Sequence, residues 1–235
     1  MTGGSSDLGR AVVRQLAVDG FHVIIHSYHG LADAQQLATS VEMSGGSAQA
    51  ISFNLANPAA TAAALGMLLA KGPVHAFVHH ALTQMNTSFS KMTMLQWRYV
   101  IDTNLNGFFE ISKLLAPAMT ESGWGRIMAV LAPEEVTVRA DCQVNDCAAR
   151  GGLQGTVRAL ARELGGCGVT ANAVAPGIIA SNITDQGHDA VTIREMVPSQ
   201  RAGRPEEVAD LVSFLISDRA AYINGQMIAV DGGLH

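Results

Sequence analysis

The stretch that decides the fold lies between residues 126 and 174, where an apolar run, a helical pattern and a second apolar run follow one another. It reads RIMAVL at residues 126–131, NDCAARGGLQGTVRALAREL at 145–164 and TANAV at 170–174. Short apolar runs on either side of a helix predict two parallel strands joined by a crossover helix. Parallel strands are covered by helices on both faces, so the segment predicts part of an α/β sheet.

The same alternation continues in both directions along the chain. We predict further strands at residues 23–27, 50–55, 74–80 and 226–230, and helices at 31–43, 59–70, 94–121 and 205–217. Residues 104–107 and Pro117 are expected to break the third of these helices. The pattern predicts one α/β domain over residues 1–235, with a doubly wound parallel sheet in three layers. Such sheets bind ligands at the carboxyl ends of their strands.

Composition restricts the class of function. The chain has 235 residues, 48% of them hydrophobic, and a formal net charge of −5. Without a basic run, we expect no nucleic-acid partner, and no apolar run reaches the roughly 18 residues of a membrane span. The start of the chain does not resemble a signal peptide, which predicts a cytoplasmic protein. Cys142, Cys147 and Cys167 fit neither a disulfide framework nor a zinc site, so we expect reduced thiols.

A glycine-rich turn opens the chain at Thr2-Gly-Gly-Ser-Ser-Asp-Leu-Gly9. Glycines in such a turn let the backbone approach a pyrophosphate, and the next helix offers its amino end. No strand precedes the turn, although the first strand of a doubly wound sheet is central. We expect that residues before Met1 are missing from this numbering. The alternative is that the edge of the fold is rebuilt.

Five segments resemble the short-chain dehydrogenase/reductase family, and within it the 3-oxoacyl-[acyl-carrier-protein] reductases. They are the turn at residues 2–9, DTNLNG at 102–107, NAVAPG at 172–177, GRPEEV at 203–208 and residues 218–234, which end in DGGL. The resemblance spans essentially the whole chain. It implies a Rossmann-type fold and the NADPH-dependent reduction of a 3-oxoacyl thioester.

The resemblance breaks at the catalytic residues. The family motif Asn-Tyr-x-Ala-x-Lys-x-Gly corresponds to NDCAARGG at residues 145–152. Asp146 therefore stands at the tyrosine position and Arg150 at the lysine position. Ala132 stands at the serine position, unless a longer loop brings in Thr137 instead. The four positions of the family tetrad are thus Asn104, Ala132, Asp146 and Arg150, of which the first alone keeps the family residue.

These replacements affect proton transfer. In the family, the tyrosine gives a proton to the carbonyl oxygen and the lysine assists it, whereas an aspartate is ionised at neutral pH. We expect Asp146 and Arg150 to form an i, i+4 ion pair on the helix surface, in a site that has lost its reaction. The alternative is that Asp146 is a new acid and Arg150 a new clamp. The three tyrosines, Tyr28, Tyr99 and Tyr222, lie in no motif that would replace the missing one.

The resemblance also implies a cofactor site, which would bind NADPH if it binds any nucleotide. The implied contacts are Gly3, Ser6, Leu8, Gly9, Asn54, Leu55, Ala81, Pro176, Gly177 and Ile179. Asp7 adds negative charge to the turn, and Leu82 replaces a glycine that makes room for the cofactor. Residues 26–29 carry no carboxylate to select a free 2′-hydroxyl, which favours NADPH over NADH. An ordinary polar strand end explains these residues equally well.

Three histidines, His26, His79 and His80, fall at predicted strand ends, and the last two stand where the family has two asparagines. A metal or acid–base role is the alternative to ordinary surface or core histidines, and we predict no metal site. Positions that are basic in carrier-protein reductases are Gly123 and Cys167 here. The arginines that would substitute in docking a carrier protein are Arg126, Arg139 and Arg162.

Three functions remain open. The first is a non-reducing or very weak homologue that acts as a subunit in a fatty-acid or polyketide-type pathway, and the three lost catalytic positions favour it. The second is a working NADPH-dependent 3-oxoacyl reductase with altered residues. The third is a nucleotide- or acyl-binding module without turnover. The expected partners are a second copy in a dimer or tetramer, an active reductase in a mixed assembly, and acyl-carrier protein.

Overall fold

A computed structural model describes residues 1–131, 144–180 and 190–234. Its strands are β1 (His22–His26), β2 (Ser47–Ile51), β3 (Ala76–His79), β4 (Gly125–Val130), β5 (Val169–Pro176) and β6 (Met227–Val230). Its α-helices are α1 (Asp7–Val18), α2 (Leu31–Met43), α3 (Pro58–Leu69), α4 (Met94–Ile101), α5 (Gly107–Ser122), α6 (Val144–Leu164), α7 (Ala190–Met196) and α8 (Pro205–Ile216).

The strands form two parallel groups that meet at the glycine-rich turn. β1 pairs with β2, and β3 to β6 pair in chain order. Thr2 lies between β1 and β3 and forms a bridge to His26 on one side and His79 on the other. The amide of Thr2 donates to the Val78 carbonyl at 2.9 Å, and the His26 amide donates to the Met1 carbonyl at 2.8 Å.

Helices cover both faces of the sheet, with a hydrophobic core on each. One core contains Val12 and Leu16 of α1 together with Val212 of α8. The other contains Leu115 of α5 and Leu153 of α6. The prediction of a doubly wound parallel sheet in three layers is therefore confirmed.

None of the helices in the described parts of the chain has the length and apolar character needed to cross a membrane.

Local chemistry sets the boundaries of several helices. Ser6 and Asn57 cap α1 and α3 by accepting hydrogen bonds from backbone amides in the first turn. Thr93 begins α4 with a capping box that includes Gln96. Pro205 occupies the first turn of α8, where its missing amide hydrogen costs nothing.

Two boundary predictions are wrong. The second strand ends at Ile51, not Leu55, because β1, its partner, ends at His26; Phe53 and Leu55 remain buried as loop residues. The long helix is not broken at Pro117, which lies inside α5, since the buried Leu115 and Met119 keep that turn packed on the core. At residues 102–106 the helix widens into a π-turn and continues.

Candidate active site

At Gly3 and Gly9, close contacts in the glycine-rich turn leave no room for a side chain. Gly3 has φ +66°, and a Cβ there would lie 2.8 Å from backbone atoms of His80 and Ala81. A Cβ on Gly9 would lie 2.3 Å from the Gly3 carbonyl oxygen, so α1 packs directly on the turn. Ser6 accepts a hydrogen bond from the Gly9 amide at 3.1 Å. The amino end of α1, which favours an anion, therefore starts at this turn.

A cleft of about 420 Å³ lies beside the turn. Its other walls are residues 26–30 after β1, residues 54–55 after β2 and residues 80–83 after β3. Of the predicted cofactor residues, those that line it are Gly3, Ser6, Asn54, Leu55 and Ala81. Leu82, which stands where the family has a glycine, lines the cleft too. The size suits a small-molecule ligand.

The other predicted cofactor residues do not line this cleft. Leu8 packs partly against the core and Gly9 lies under the turn. Pro176 ends β5, and a Cβ on Gly177 would lie 2.6 Å from the Asp231 Cα, so this loop packs tightly on the carboxyl-terminal segment. The Ile179 side chain is buried in the core, and a ligand contact there would involve its backbone.

Asn104 lies in the π-turn and is fully buried. Its side-chain amide donates to the Thr83 carbonyl at 2.9 Å, and its side-chain oxygen accepts from the Thr83 amide at 2.8 Å. These two bonds hold the loop after β3, and with it Leu82, against the helix. Asn104 therefore shapes a wall of the cleft.

Asp146 and Arg150 form a buried ion pair on α6 between Arg150 Nη2 and Asp146 Oδ2. The side chains are 2% and 9% exposed, respectively. The predicted ion pair is confirmed, but its predicted place on the helix surface is wrong. The reason is the packing of α6: both residues lie on the buried stripe of the helix that also carries Leu153, a residue of the core on that face of the sheet.

Ala132 and Thr137 lie outside the described residues, so the predicted convergence of all four tetrad positions stays a prediction. Asn104 and the ion pair lie on neighbouring elements, since α6 packs on the π-turn. The Asn145 side-chain amide donates to the Met85 carbonyl at 3.3 Å, so the start of α6 is also joined to the segment that follows β3.

Two of the three histidines have structural roles. His79 lies with Nε2 3.1 Å from the Asn104 carbonyl and Nδ1 3.0 Å from Thr2 Oγ1, so it donates at one nitrogen and accepts at the other. His26 Nε2 donates to the Phe53 carbonyl at 2.8 Å. Burial lowers the pKa of His26 to about 4 and that of His79 to about 3, so both rings are neutral near physiological pH.

His80 also lies at the cleft, which His26 lines as well, and its Nε2 is 3.1 Å from Ser6 Oγ. Burial lowers its pKa to about 4. Within the described ranges, no three His, Cys, Asp or Glu side chains are placed to hold a metal ion.

Several residues of the cleft were not predicted. Tyr28, Tyr99 and Thr103 line it, so two of the three tyrosines lie at the cleft after all. Tyr99 and Thr103 are four residues apart along one helical face, and they lie just before Asn104. This spacing could have predicted that Tyr99 and Thr103 lie on the same side as Asn104. Tyr99 was not predicted because no family motif includes it.

The arginines proposed for docking differ in accessibility. Arg126 is buried, stacks on Trp124 at 4.4 Å and donates to Asp218 at 3.2 Å, so it is not available to a partner. Arg162 is exposed on α6. Arg139 lies outside the described residues.

The doubly wound sheet and the glycine-rich cleft at its strand ends define the class as an α/β protein of the Rossmann type. A family model described as enoyl-(acyl carrier protein) reductase matches residues 3–235. The chain belongs to the short-chain dehydrogenase/reductase family, and it is of the ketoreductase type.

Individual relatives agree with this assignment. The 3-oxoacyl-[acyl-carrier-protein] reductase FabG of Aggregatibacter actinomycetemcomitans is 33% identical over 100% of this chain and 97% of that protein. The protein of the same name from Escherichia coli K12 is 34% identical over 100% of this chain and 96% of that protein. The crystal structure of a protein classed as a gluconate dehydrogenase from Agrobacterium tumefaciens matches with a TM-score of 0.90 and 30% identity, covering 99% of this chain and 93% of that one.

Proposed function

We propose that this chain is a 3-oxoacyl-carrier-protein reductase homologue that reduces its substrate class very weakly or not at all, as a subunit of a fatty-acid or polyketide-type pathway. One observation carries the proposal: Asp146 and Arg150, which the motif match assigns to the positions of the family's tyrosine and lysine, form a buried ion pair. The ketoreductase relatives support the substrate class.

The chemistry of the pair argues against efficient reduction. An aspartate carboxylate bonded to Arg150 has no proton to give to a carbonyl oxygen, and its charge repels a developing alkoxide. Arg150 cannot readily lose a proton. A positioned proton donor contributes roughly 10²–10⁴ in rate, and an oxyanion donor about 10²–10³. Alanine at position 132 removes the second of these contributions.

The cleft fits the adenosine and pyrophosphate half of NADPH, the group that would supply the hydride. Gly3 and Ser6 would hold the pyrophosphate at the turn, where a Cβ on Gly3 would clash with backbone. Asn54 would face the adenine, because its side-chain oxygen accepts from the Ala56 amide and its amide group remains to donate. Leu82 narrows the cleft, so we expect binding weaker than in an intact relative.

The proposed partners follow from the same assignment. They are a second copy of this chain in a dimer or tetramer, an active reductase in a mixed assembly, and an acyl-carrier protein. Exposed Arg162 is the described candidate for contact with an acidic carrier protein.

Turnover tests the proposal. With a 3-oxoacyl thioester, NADPH oxidation is expected to be at least ~10³-fold slower than in an intact relative such as the Escherichia coli reductase. The variant Ala132→Ser/Asp146→Tyr/Arg150→Lys should regain part of the rate, and adding Leu82→Gly should increase it further if the cleft limits binding. Leu82→Gly alone is the control and should leave the rate low. Ordinary ketoreductase rates in the unmodified chain would overturn the proposal.

A nucleotide-binding module without turnover is the second candidate. The glycine-rich turn favours it, since Gly3 and Gly9 keep their close packing although Asp7 replaces the middle glycine of the motif. NADPH binding without oxidation, together with failure of the triple variant to gain turnover, would favour this candidate over a weak reductase.

A further inference from the structure

His79 is the middle member of a hydrogen-bond chain that joins the glycine-rich turn to the π-turn. Its Nε2 donates to the Asn104 carbonyl at 3.1 Å, and its Nδ1 lies 3.0 Å from Thr2 Oγ1. The residue ends β3 and is fully buried. Because the carbonyl can only accept, the proton of the neutral ring is on Nε2, and Nδ1 accepts a hydrogen bond from the Thr2 hydroxyl.

The Thr2 hydroxyl has no lone pair left for a protonated ring. Its oxygen accepts from the backbone amides of His80 and Ala81, each at 3.2 Å. A hydroxyl has one proton to donate and two lone pairs to accept with. A proton on His79 Nδ1 would therefore point a third donor at an oxygen that already accepts two bonds. Protonation of this ring and the bonds around Thr2 exclude one another.

These bonds hold together the parts that form the cleft. Thr2 is the residue that bridges the two groups of strands, through His26 on one side and His79 on the other. At the other end of the hydrogen-bond chain, Asn104 fixes the Thr83 backbone by two hydrogen bonds. Loss of the Thr2–His79–Asn104 chain would therefore release the glycine-rich turn from β3.

The charges around His79 do not stabilise a protonated ring. The titratable groups that act on it are His80, His26 and the amino group of Met1, all of which are neutral or positive. Asp102, the acidic side chain of the π-turn, is hydrogen-bonded within that turn. A proton on the buried ring would therefore be favoured only after the ring is released to solvent.

We propose that His79 makes the assembly of the cleft sensitive to pH: at mildly acidic pH a proton on this ring breaks the Thr2–His79–Asn104 chain, and the glycine-rich turn separates from β3 while the rest of the sheet stays folded. This role goes beyond the proposed function, because it requires neither a bound nucleotide nor turnover.

The direction of the pH effect follows from the two forms of the ring. Burial lowers the pKa of His79 from 6.5 to about 3 in the assembled form. The released ring has its ordinary pKa and binds the proton more tightly, so acid favours the released form. The contribution of His79 to assembly is fully present above about pH 6.5 and is lost as the pH falls from there toward about 3.

Hydrogen exchange of the full chain, resolved to single amides and corrected for the intrinsic effect of pH, measures the separation. The amides of Gly4, His80 and Ala81 report it, because each is bonded across the contact between the turn and the strands. Between pH 7 and pH 5 their protection should fall by at least roughly 25-fold, as expected for one histidine with these two pKa values. The amides of β4 should keep their protection.

Matched variants assign the effect to one ring. His79→Asn introduces the family's residue, and His79→Gln keeps a longer amide that can donate toward the Asn104 carbonyl; neither side chain titrates. Both variants should lose the roughly 25-fold effect of His79. His29→Asn removes an exposed histidine from the loop after β1 and should keep it. Circular dichroism at both pH values checks that each variant is folded.

Three outcomes would overturn the inference: equal protection at both pH values, an undiminished pH effect in both His79 variants, and an equal loss of protection in β4, which would mean global unfolding. If neither variant folds, nitrogen-15 NMR of the histidine rings in the unmodified chain decides. A neutral His79 ring with its proton on Nε2, lost together with the protection of Gly4, supports the inference. A ring that is protonated while Gly4 stays protected contradicts it.

Discussion

Asp146 and Arg150 form a buried ion pair on α6, at the positions that the motif match assigns to the family's tyrosine and lysine. Each ion loses hydration on burial, at a cost of several kcal/mol, and mutual attraction offsets this only while both partners are present. Asp146 and Arg150 therefore depend on each other. We expect that replacing either residue alone would lower the stability of the fold. An aspartate at the tyrosine position and an arginine at the lysine position are therefore expected to occur together.

Asp146→Asn is expected to lower the free energy of unfolding by about 3–5 kcal/mol, because it leaves a buried guanidinium without its carboxylate. Urea denaturation followed by circular dichroism measures the change. Glu207→Gln is the matched control, since it breaks the exposed pair of Glu207 with Arg201 and should cost much less. Equal costs for the two variants would contradict the role assigned to burial.

At the scale of elements, the π-turn has a function that does not require catalysis. It points Asn104 at both polar backbone atoms of Thr83 and so fixes the loop that carries Leu82. The glycine-rich turn and α1 form a second such unit, because the Gly9 backbone lies against Gly3 and Gly4. Both units shape the cleft, and neither involves a proton donor.

Gly9→Ala is expected to destabilise the chain by about 1–3 kcal/mol and to weaken ADP-ribose binding, because the new methyl group would meet the Gly3 carbonyl. Thermal unfolding and calorimetric titration measure the two effects. Gly66→Ala is the control: it also lies in a helix, but a Cβ there meets nothing within 4 Å. It should stabilise the chain by about 0.5–1 kcal/mol. A Gly9→Ala variant that binds normally would refute the close packing of the turn.

At the scale of the whole molecule, the cleft lies where the two groups of strands part. β1 and β3 diverge on either side of Thr2, and the loops after them form opposite walls. This is the switch point at which doubly wound sheets bind ligands. The two cores on opposite faces hold the strands that carry these loops.

The chain is expected to associate through α4, α5, α6 and β6, the elements that the family resemblance implies for dimers and tetramers. Light scattering should then give a particle of about two or four times the 24.6 kDa chain mass, or one that contains a co-purifying reductase. Phe109 on α5 is 48% exposed, and Phe109→Glu should reduce the particle mass. Val18→Glu, on α1, is the control and should not. A strictly monomeric particle with no co-purifying reductase would contradict the prediction.

The sequence by itself determined the features that depend on neighbours along the chain. The helix at residues 31–43 was predicted with its observed bounds, because its apolar positions repeat with a helical period. The four-residue spacing of Asp146 and Arg150 was sufficient to predict their ion pair. The motifs identified the family, and the tetrad positions that they assign through a register without gaps stay a prediction.

Only the tertiary structure decided what is buried and what lines the cleft. The ion pair lies inside the protein because it shares the buried stripe of α6 with Leu153, which belongs to the same hydrophobic core as Leu115 of α5, a residue distant in the numbering. Contacts between distant segments also decide that Tyr99 lines the cleft and that the Ile179 side chain lies in the core. Burial depends on contacts between distant segments, and a periodic pattern gives the face of a helix but not the element that covers it.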